Sequence, residues 1–438
     1  MDVDGPGKLM NRRWDLDALR GLMLVLMTLT HLPTRFSDPA GQPFGFVSAA
    51  EGFVMLSAYM AGMVYTTRAV REGEPVMQEA FFKRALKIYG CQAALLLFLF
   101  TVVAGIGLLT RQDAVTNLLT YYLEHPLTAF FSGLLLIYSP PLLDILPMYI
   151  LLMLASPLLL LHGLHRGWLG IMVVSVLLWV ASQFDVTLAL YNGFVAATGL
   201  KIIPFSELGA FELLAWQFLW VLGLWMGSTR AASKHPEPIR FPRWLVETAM
   251  IIAITCFVWR HVIGQTPFPE MPVGNLMFDK WHLAPLRLIN FFALLVLTMH
   301  FGPWLTSRLP RIKAMETMGS ASLPVFCAHL VLALLALAVL GDGRAPRPVW
   351  IDIAILVVGF AALYGVAWSS LQFDRRTAAL RKRMAARRTL VLTEWRTQRR
   401  RDRRRPRIAV RSPVSASSLP ALQGAPRSPS STGHSPGG

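Results

Sequence analysis

Ten apolar stretches, each of a length suited to crossing a lipid bilayer, dominate this sequence of 438 residues. A membrane-spanning helix needs about 20 predominantly apolar residues, and a helix satisfies its backbone hydrogen bonds internally, as lipid requires. Only 15% of the residues are charged, against about 25% in soluble domains. The sequence therefore predicts an all-α, polytopic membrane helical bundle of about ten transmembrane helices, at 16–34, 46–66, 85–109, 142–161, 168–184, 208–228, 244–263, 284–304, 319–340 and 350–371.

The basic residues indicate in which direction these helices cross. With the N-terminus in the cytoplasm, 17 of the 25 Lys and Arg residues before Asp374 lie on the cytoplasmic side and 8 on the outer side. This asymmetry is what the positive-inside rule requires. An even number of spans then returns the remaining 17, all in the C-terminal tail, to the cytoplasm. We therefore expect both termini to be cytoplasmic.

Composition divides the chain into four segments. We predict a cytoplasmic N-terminal segment (1–15), a transmembrane domain (16–372), a basic cytoplasmic tail (373–411) and a disordered Ser/Pro/Gly-rich end (412–438). The Arg-rich run is interpreted as a solvated or anionic-lipid-binding surface, and no nucleic-acid partner is expected from it. The three cysteines lie within apolar runs without short spacing, so neither a disulfide framework nor a metal site is expected.

The first helix carries the strongest candidate site. Asp17, Arg20 and His31 lie within one apolar stretch, and ionisable groups inside a membrane span are functional candidates by default. Arg20 and His31 are eleven residues apart, close to three helical turns, so both lie on one face about 16 Å apart. A neutral imidazole is a suitable general base.

The second stretch supplies a carboxylate at a similar depth. Glu51 lies about one turn into this span, and a hairpin between the first two helices predicts that it orients or charge-balances His31. The alternative is that His31 only caps its helix by bonding a carbonyl, and that Glu51 is an interfacial anchor. The sequence leaves both interpretations open.

Two further groups of polar residues are candidates for ligand binding. Lys83, Arg84 and Lys87 share a helical face before the third span, which suits a phosphate-bearing ligand or simple anchoring by positive charge. On the outer side, a polar mouth for a hydroxylated acceptor is predicted, although aromatic belts also place Trp there. Its candidate residues are Asp144, Trp216, Asp279, Lys280, Trp281, His282 and Arg287, together with His329, which is either structural or faces the cavity.

Seven ordered segments resemble the osmoregulated periplasmic glucan succinyltransferases of the OpgC type. The resemblance covers roughly residues 12–372 and leaves the Arg-rich tail unmatched. The segments are DLDALRGLMLVLMTLTHLP, SAAEGFVMLSAYMAGMVY, FFKRALKIYG, LDILPMYILLMLASP, LAWQFLWVLG, FDKWHLAPLRLINFFAL and GSASLPVFCAHLV.

OpgC-type proteins are in turn similar to acyltransferase family 3, which has an Arg, ten residues and a His in its first span. Arg20 and His31 match that pattern, and the resemblance implies an essential histidine. The same family has two arginines, three residues apart, that are thought to bind CoA phosphates; here these positions are Arg84 and Lys87. Thr30 stands where the OpgC pattern usually has an acidic residue.

The resemblance implies a membrane acyltransferase of the bacterial inner membrane. It would move an acyl group, succinyl by the family, from cytoplasmic acyl-CoA as co-substrate to a periplasmic glucan hydroxyl, with no bound cofactor. His31 would act as general base or as transient acyl carrier, with Arg20, Glu51 and Asp17 around it. The rival interpretations are a polytopic transporter or flippase, since such proteins also carry charges inside their spans, and a non-catalytic membrane scaffold.

Overall fold

The computed structural model describes residues 13–199, 203–233, 240–268, 271–343 and 347–404, and the described residues are helical without strands. A π-helical turn, Leu99–Val103, links α4 to α5, and a 3-10 turn, Phe205–Glu207, precedes α12. The described α-helices are α1 (Trp14–His31), α2 (Ser37–Gly41), α3 (Ala49–Glu72), α4 (Glu74–Phe98), α5 (Ala104–Thr110), α6 (Asp113–Leu118), α7 (Thr120–Glu124), α8 (Pro126–Leu134), α9 (Ile145–Arg166), α10 (Leu169–Ser182), α11 (Val186–Thr198), α12 (Leu213–Ala232), α13 (Arg243–Ile263), α14 (Pro272–Leu276), α15 (Pro285–Arg308), α16 (Lys313–Ser320), α17 (Ser322–Leu340) and α18 (Val349–Arg404).

Each of the ten predicted stretches coincides with a helix, and the all-α prediction is confirmed. By length and composition, six described helical segments are apolar enough to cross a membrane: α4 to α5, α9, α13, α15, α17 and α18. The pair α10 and α11, bent by 77°, makes a seventh when it is counted as one broken span. Helix α1 is less apolar, because it carries Asp15, Asp17 and Arg20. The count of ten and the cytoplasmic termini stay predictions.

Close contacts through glycine hold α3 against α12. A Cβ on Gly227 would lie 2.0 Å from the carbonyl oxygen of Tyr59, and one on Gly62 would lie 2.3 Å from that of Leu224. Small residues allow membrane helices this approach. Further along the same pair, Thr66 Oγ1 donates to Ser228 Oγ at 3.0 Å. At the other end of the contact, a Cβ on Gly223 would lie 2.4 Å from the carbonyl oxygen of Met55. Since Met55 lies near Gly223 and Thr66 near Ser228, the two helices run in the same direction.

Helix α1 is positioned by glycine in the same way. A Cβ on Gly21 would lie 2.0 Å from the carbonyl oxygen of Met315 in α16, and one on Gly319 would lie 1.7 Å from that of Asp17. The break between α16 and α17 is a single residue, Ala321. The contact with α16 therefore also fixes α1 relative to α17. Both α1 and α17 contribute to the main hydrophobic core, together with α3, α4, α9 and α12.

The region 117–140 forms short helices, α6 to α8, instead of a span. The described residues up to Arg375 form one compact unit, and the remainder of α18 belongs to a second. This second unit is helical as far as Arg404. The predicted disordered end (412–438), the last residues of the basic tail and residues 1–12 of the N-terminal segment lie outside the described residues.

Candidate active site

His31 lies at the last position of α1, beside His329 of α17. The Nδ1 atom of His31 is 3.2 Å from Nε2 of His329, and the two rings are stacked with centroids 5.4 Å apart. His329 is completely buried, whereas His31 is partly accessible and lines a cavity. A ligand in the cavity can therefore reach the ring of His31, and the buried ring of His329 holds the His31 ring in place.

The hydrogen bonds of His329 fix which nitrogen of each ring carries a proton. Nδ1 of His329 lies 2.6 Å from the carbonyl oxygen of Phe326, and because a carbonyl only accepts, this nitrogen must be the donor. When both rings are neutral, Nε2 of His329 accepts from Nδ1 of His31. The remaining nitrogen of His31, Nε2, then carries a lone pair. This arrangement makes Nε2 a base or a nucleophile.

A second contact joins the same two helices two turns earlier. The guanidinium of Arg20 donates to Oγ of Ser322, at the first position of α17. Ser322 and His329 are seven residues apart, close to two turns of helix, just as Arg20 and His31 are close to three turns apart. Since the earlier residues pair with each other and the later residues pair with each other, α1 and α17 run in the same direction. This agrees with the predicted order of spans, because the first and the ninth of successive spans cross the membrane in the same direction.

A cavity of about 450 Å³ opens in front of His31. It lies at the end of the bundle where α1 ends and where α3 and α9 begin. Its volume falls within the usual range for small-molecule sites, about 300–1,000 Å³. The polar side chains that line it are Thr30, His31, Ser48, Asn117, Thr120, Tyr121, Ser139, Asp144, Ser206, Glu207 and Lys280.

A second cavity, of about 30 Å³, lies around Arg20 and Arg84. Tyr149 and Ser322 also line it, and the rest of its lining is apolar. Ile145 and Phe326 line both cavities. The two cavities are thus neighbours that share these two lining residues.

Glu51 makes its contacts with groups other than His31. Its Oε2 accepts from the backbone N–H of Ser48 at 3.1 Å and from the Ser48 hydroxyl at 2.5 Å, which caps α3. Its Oε1 accepts from Nε of Arg287, and both side chains of this ion pair are buried. Among the described residues, the group that orients His31 is therefore His329 rather than the predicted Glu51. The carboxylate holds α3 against α15 beside the cavity.

The predicted outer residues divide into two groups. Asp144, Lys280 and Trp281 line the larger cavity. Asp279 does not, because its carboxylate accepts from the backbone N–H and Nδ1 of His282, at 2.9 and 2.6 Å. Burial raises the pKa of Asp279, but the bonds from His282 outweigh burial and lower it below its ordinary value. Asp279 therefore shapes the loop that carries Lys280.

Electrostatics differ between the two cavity-lining groups. Burial raises the pKa of Asp144 to about 6, while the backbone N–H of Ala210 and the charge of Lys280 oppose the rise. Burial lowers the pKa of Lys280, and the carboxylates of Glu51 and Asp144 partly counter that effect. Each group is therefore a partly desolvated charge at the cavity surface.

The three predicted CoA-binding residues do not share one site in the structure. Arg84 lines the smaller cavity opposite Arg20. Lys83 is exposed and pairs with Glu79 at 2.6 Å, and Lys87 is also exposed. Asp17 is buried in the contact between α1 and α16 and lines neither of these two cavities. Within the described part of the chain, no group of three or more His, Cys, Asp or Glu residues is arranged to hold a metal ion.

A family described as "OpgC protein" matches residues 12–375 of this chain. The chain belongs to the OpgC family. The matched part contains the histidine pair and both cavities, and the resemblance inferred from seven sequence segments is confirmed. Membership of the OpgC family points to a transferase role in glucan modification. No curated protein and no solved structure matches the chain.

Sequence reasoning missed two residues of this OpgC site. Ser322 was not singled out, although its seven-residue spacing from His329 gives the same stripe pattern that identified Arg20 and His31. Glu207, in the 3-10 turn before α12, lines the larger cavity, and an acidic residue in the otherwise apolar loop PFSELGAF is its signal. Thr30 also lines that cavity and bonds the carbonyl of Leu26 at 2.9 Å. Thr30 therefore brings a hydroxyl to the cavity where the family pattern usually has an acidic residue.

Proposed function

We propose that this chain transfers an acyl group, succinyl by family, from acyl-CoA to a hydroxyl of a glucan, with His31 as the base. The observation that carries this proposal is the geometry of His31, which lines a polar cavity while its Nδ1 lies 3.2 Å from Nε2 of His329. When both rings are neutral, this contact leaves the lone pair on Nε2. A positioned imidazole contributes about 10²- to 10⁴-fold to such proton transfers.

The reaction is balanced by one proton that His31 accepts and returns. Nε2 removes the proton of the sugar hydroxyl as that oxygen attacks the thioester carbonyl carbon. The new C–O bond forms, the C–S bond breaks, and the sulfur leaves with the bonding electrons. The imidazolium then protonates the thiolate, which gives an ester and free CoA. The hydrogen bond to His329 keeps the ring in the orientation that both proton transfers need.

Arg20 and Arg84 are the proposed contacts for the donor. Guanidinium groups bind phosphates by charge and paired hydrogen bonds, and both line the smaller cavity. Its volume of about 30 Å³ has room for about two water molecules. The arm of acyl-CoA therefore reaches His31 only when Phe326 and Ile145 move aside.

The larger cavity is the proposed acceptor site. Carboxylates and hydroxyls accept and donate to sugar hydroxyls, and Asp144, Glu207 and Ser139 supply such groups. In the proposed topology this cavity faces the periplasm, the smaller one faces the cytoplasm, and the membrane is the bacterial inner membrane. The basic tail would contact anionic lipid at the inner leaflet.

The test is the acyl content of periplasmic glucans, measured by mass spectrometry in a deletion strain. The strain is complemented with wild type, His31→Ala or His300→Ala at equal expression; His300 is exposed on α15 and serves as the matched control. Wild type and the control should restore the acyl mass increment, and His31→Ala should not. Restoration by His31→Ala would refute the assigned base, and a wild type without effect would refute the acceptor class.

The same lone pair also allows a covalent route, in which Nε2 attacks the thioester and forms an acyl-histidine that the sugar then resolves. The two routes differ when no acceptor is present. Rapid acid quench of purified protein with acyl-CoA alone, followed by peptide mass spectrometry, detects an acyl mass on His31 only in the covalent route.

A further inference from the structure

Lys280 is a cation beside the proposed reaction centre without a carboxylate of its own. It lies in the loop between α14 and α15 and lines the same cavity as His31. Its Nζ is 4.7 Å from the centroid of the Trp281 ring and 5.7 Å from that of Phe211. Among the residues that the structure describes, no carboxylate oxygen lies within 4.0 Å of this nitrogen.

The nearby carboxylates have other partners. Glu51 is held by Arg287 and Ser48, and Asp279 by His282. Asp144 accepts from the backbone N–H of Ala210 at 3.3 Å. Among the described residues, this partly desolvated ammonium lies over aromatic faces and forms no ion pair, so its charge is incompletely compensated. Such a group favours an anion that enters the cavity.

We infer that Lys280 binds the distal carboxylate of a dicarboxylic acyl group and thereby selects succinyl over uncharged acyl chains. This inference rests on the proposed acyl transfer at His31. Trp281 and Phe211, whose rings flank Nζ, supply apolar surface for the methylene groups of the chain. Asp144 and Glu207, which repel a second carboxylate, are left for the hydroxyls of the acceptor.

The experiment compares two four-carbon donors that differ in charge. Purified full-length protein in lipid nanodiscs receives succinyl-CoA or butyryl-CoA with a neutral glucan, and kcat/KM is measured for each. The variants are Lys280→Met, Lys280→Arg and the control Lys313→Met, which removes an exposed lysine of α16. Melting temperatures establish that each variant is folded.

Wild type should prefer succinyl-CoA, and Lys280→Met should lose about 10- to 100-fold of that preference while butyryl transfer persists, because loss of one partner from a desolvated charge pair is costly. Lys280→Arg should keep most of the preference, and Lys313→Met all of it. The inference is overturned when Lys280→Met keeps the preference, or when a folded Lys280→Met transfers neither group.

Two further outcomes separate this inference from its alternatives. The anion that Lys280 binds has a second potential source, an acidic substituent on the acceptor. When Lys280→Met keeps its donor preference but loses transfer to an anionically substituted glucan, the cation serves the acceptor and the inference is overturned. A wild type that transfers neither donor contradicts the proposed function itself, whereas an active wild type with an unchanged Lys280→Met ratio contradicts only the role of Lys280.

Discussion

The orientation of the His31 ring depends on a second histidine 298 residues further along the chain. His329 accepts from Nδ1 and is itself tied to the carbonyl of Phe326. Without this acceptor the His31 ring can rotate, and its protonated nitrogen can face the cavity. His329 has a positioning role, because its side chain is completely buried and lines neither of the two described cavities.

His329→Ala is expected to lower kcat for acyl transfer by about 10- to 100-fold and to leave KM for acyl-CoA nearly unchanged. His329→Gln, whose amide oxygen can accept from Nδ1, should recover part of the rate. The measurement is the initial rate in detergent, with His300→Ala as the control. A wild-type kcat in His329→Ala would show that the ring of His31 needs no such support.

A second prediction for a single residue concerns the effect of Asp144 on the pH dependence of stability. Burial raises its pKa from 3.8 to about 6, so the folded protein binds this proton more tightly than the unfolded chain. Stability from this group therefore falls as pH rises from about 4 to about 6 and is level above that range. Asp144→Asn should show a smaller decrease of Tm over this interval than wild type.

The measurement is Tm in detergent across about pH 4 to 8, covering both pKa values of the group. Asp113→Asn, which alters an exposed carboxylate at the start of α6, is the control and should follow the wild-type curve. Identical pH profiles for wild type and Asp144→Asn would rule out this assignment.

The sequence predicted Arg20 and His31 on one stripe because helical periodicity is a local property. It did not predict that Ser322 and His329 meet them, because no spacing rule in a single sequence joins residues about 300 positions apart. The same limit explains Glu51: its depth was predicted, but its partner Arg287 comes from α15. The position of each residue on its own helix was predictable, but the helix that it contacts was not.

Among the elements, α1 is the one whose position matters most, since it carries both Arg20 and His31. Its contact with α16 leaves no space for a side chain at Gly21. Gly21→Ala should separate the helices and lower stability by about 1–3 kcal/mol, with a parallel loss of transfer activity. Gly90→Ala in α4, where a Cβ meets nothing within 4 Å, should leave both unchanged. Equal Tm values for the two variants would contradict this packing.

Helix α4 offers a comparison between two neighbouring cations. Arg84 lines the smaller cavity, whereas Lys83 is paired with Glu79 at the surface. Arg84→Gln should raise KM for acyl-CoA about tenfold, as expected for loss of a charge-assisted phosphate contact, and Lys83→Gln should change it much less. Michaelis curves with varied acyl-CoA test this, and a larger effect at Lys83 would place the donor elsewhere.

For the whole molecule, the arrangement of helices agrees with the predicted alternation of spans. Helices α1 and α17 run in one direction, as first and ninth spans would, and α3 and α12 run together, as second and sixth spans would. Hydropathy alone identifies six or seven spans among the described residues. It recognises α17, which carries His329, but it passes over α1 and α3, which carry the ionisable residues Asp17, Arg20 and Glu51.

Reporter fusions test the sidedness of the whole chain. A reporter that folds only in the cytoplasm should be active after Arg411, and one that folds only in the periplasm should be active near Asp342, in the loop after α17. Swapping the two reporters provides the control. A periplasmic tail would invert the molecule and place the Arg20 and Arg84 cavity on the wrong side for cytoplasmic acyl-CoA.

The two residues shared by the cavities, Ile145 and Phe326, have a consequence for the energy supply of the cell. In the proposed topology the chain opens towards both compartments, and a continuous file of water between the two cavities would dissipate the proton gradient. Among the described residues, Ile145 and Phe326 line both cavities. When Ile145 and Phe326 move aside during turnover, the acyl group therefore has to occupy the space that they leave, so that no protons cross with it.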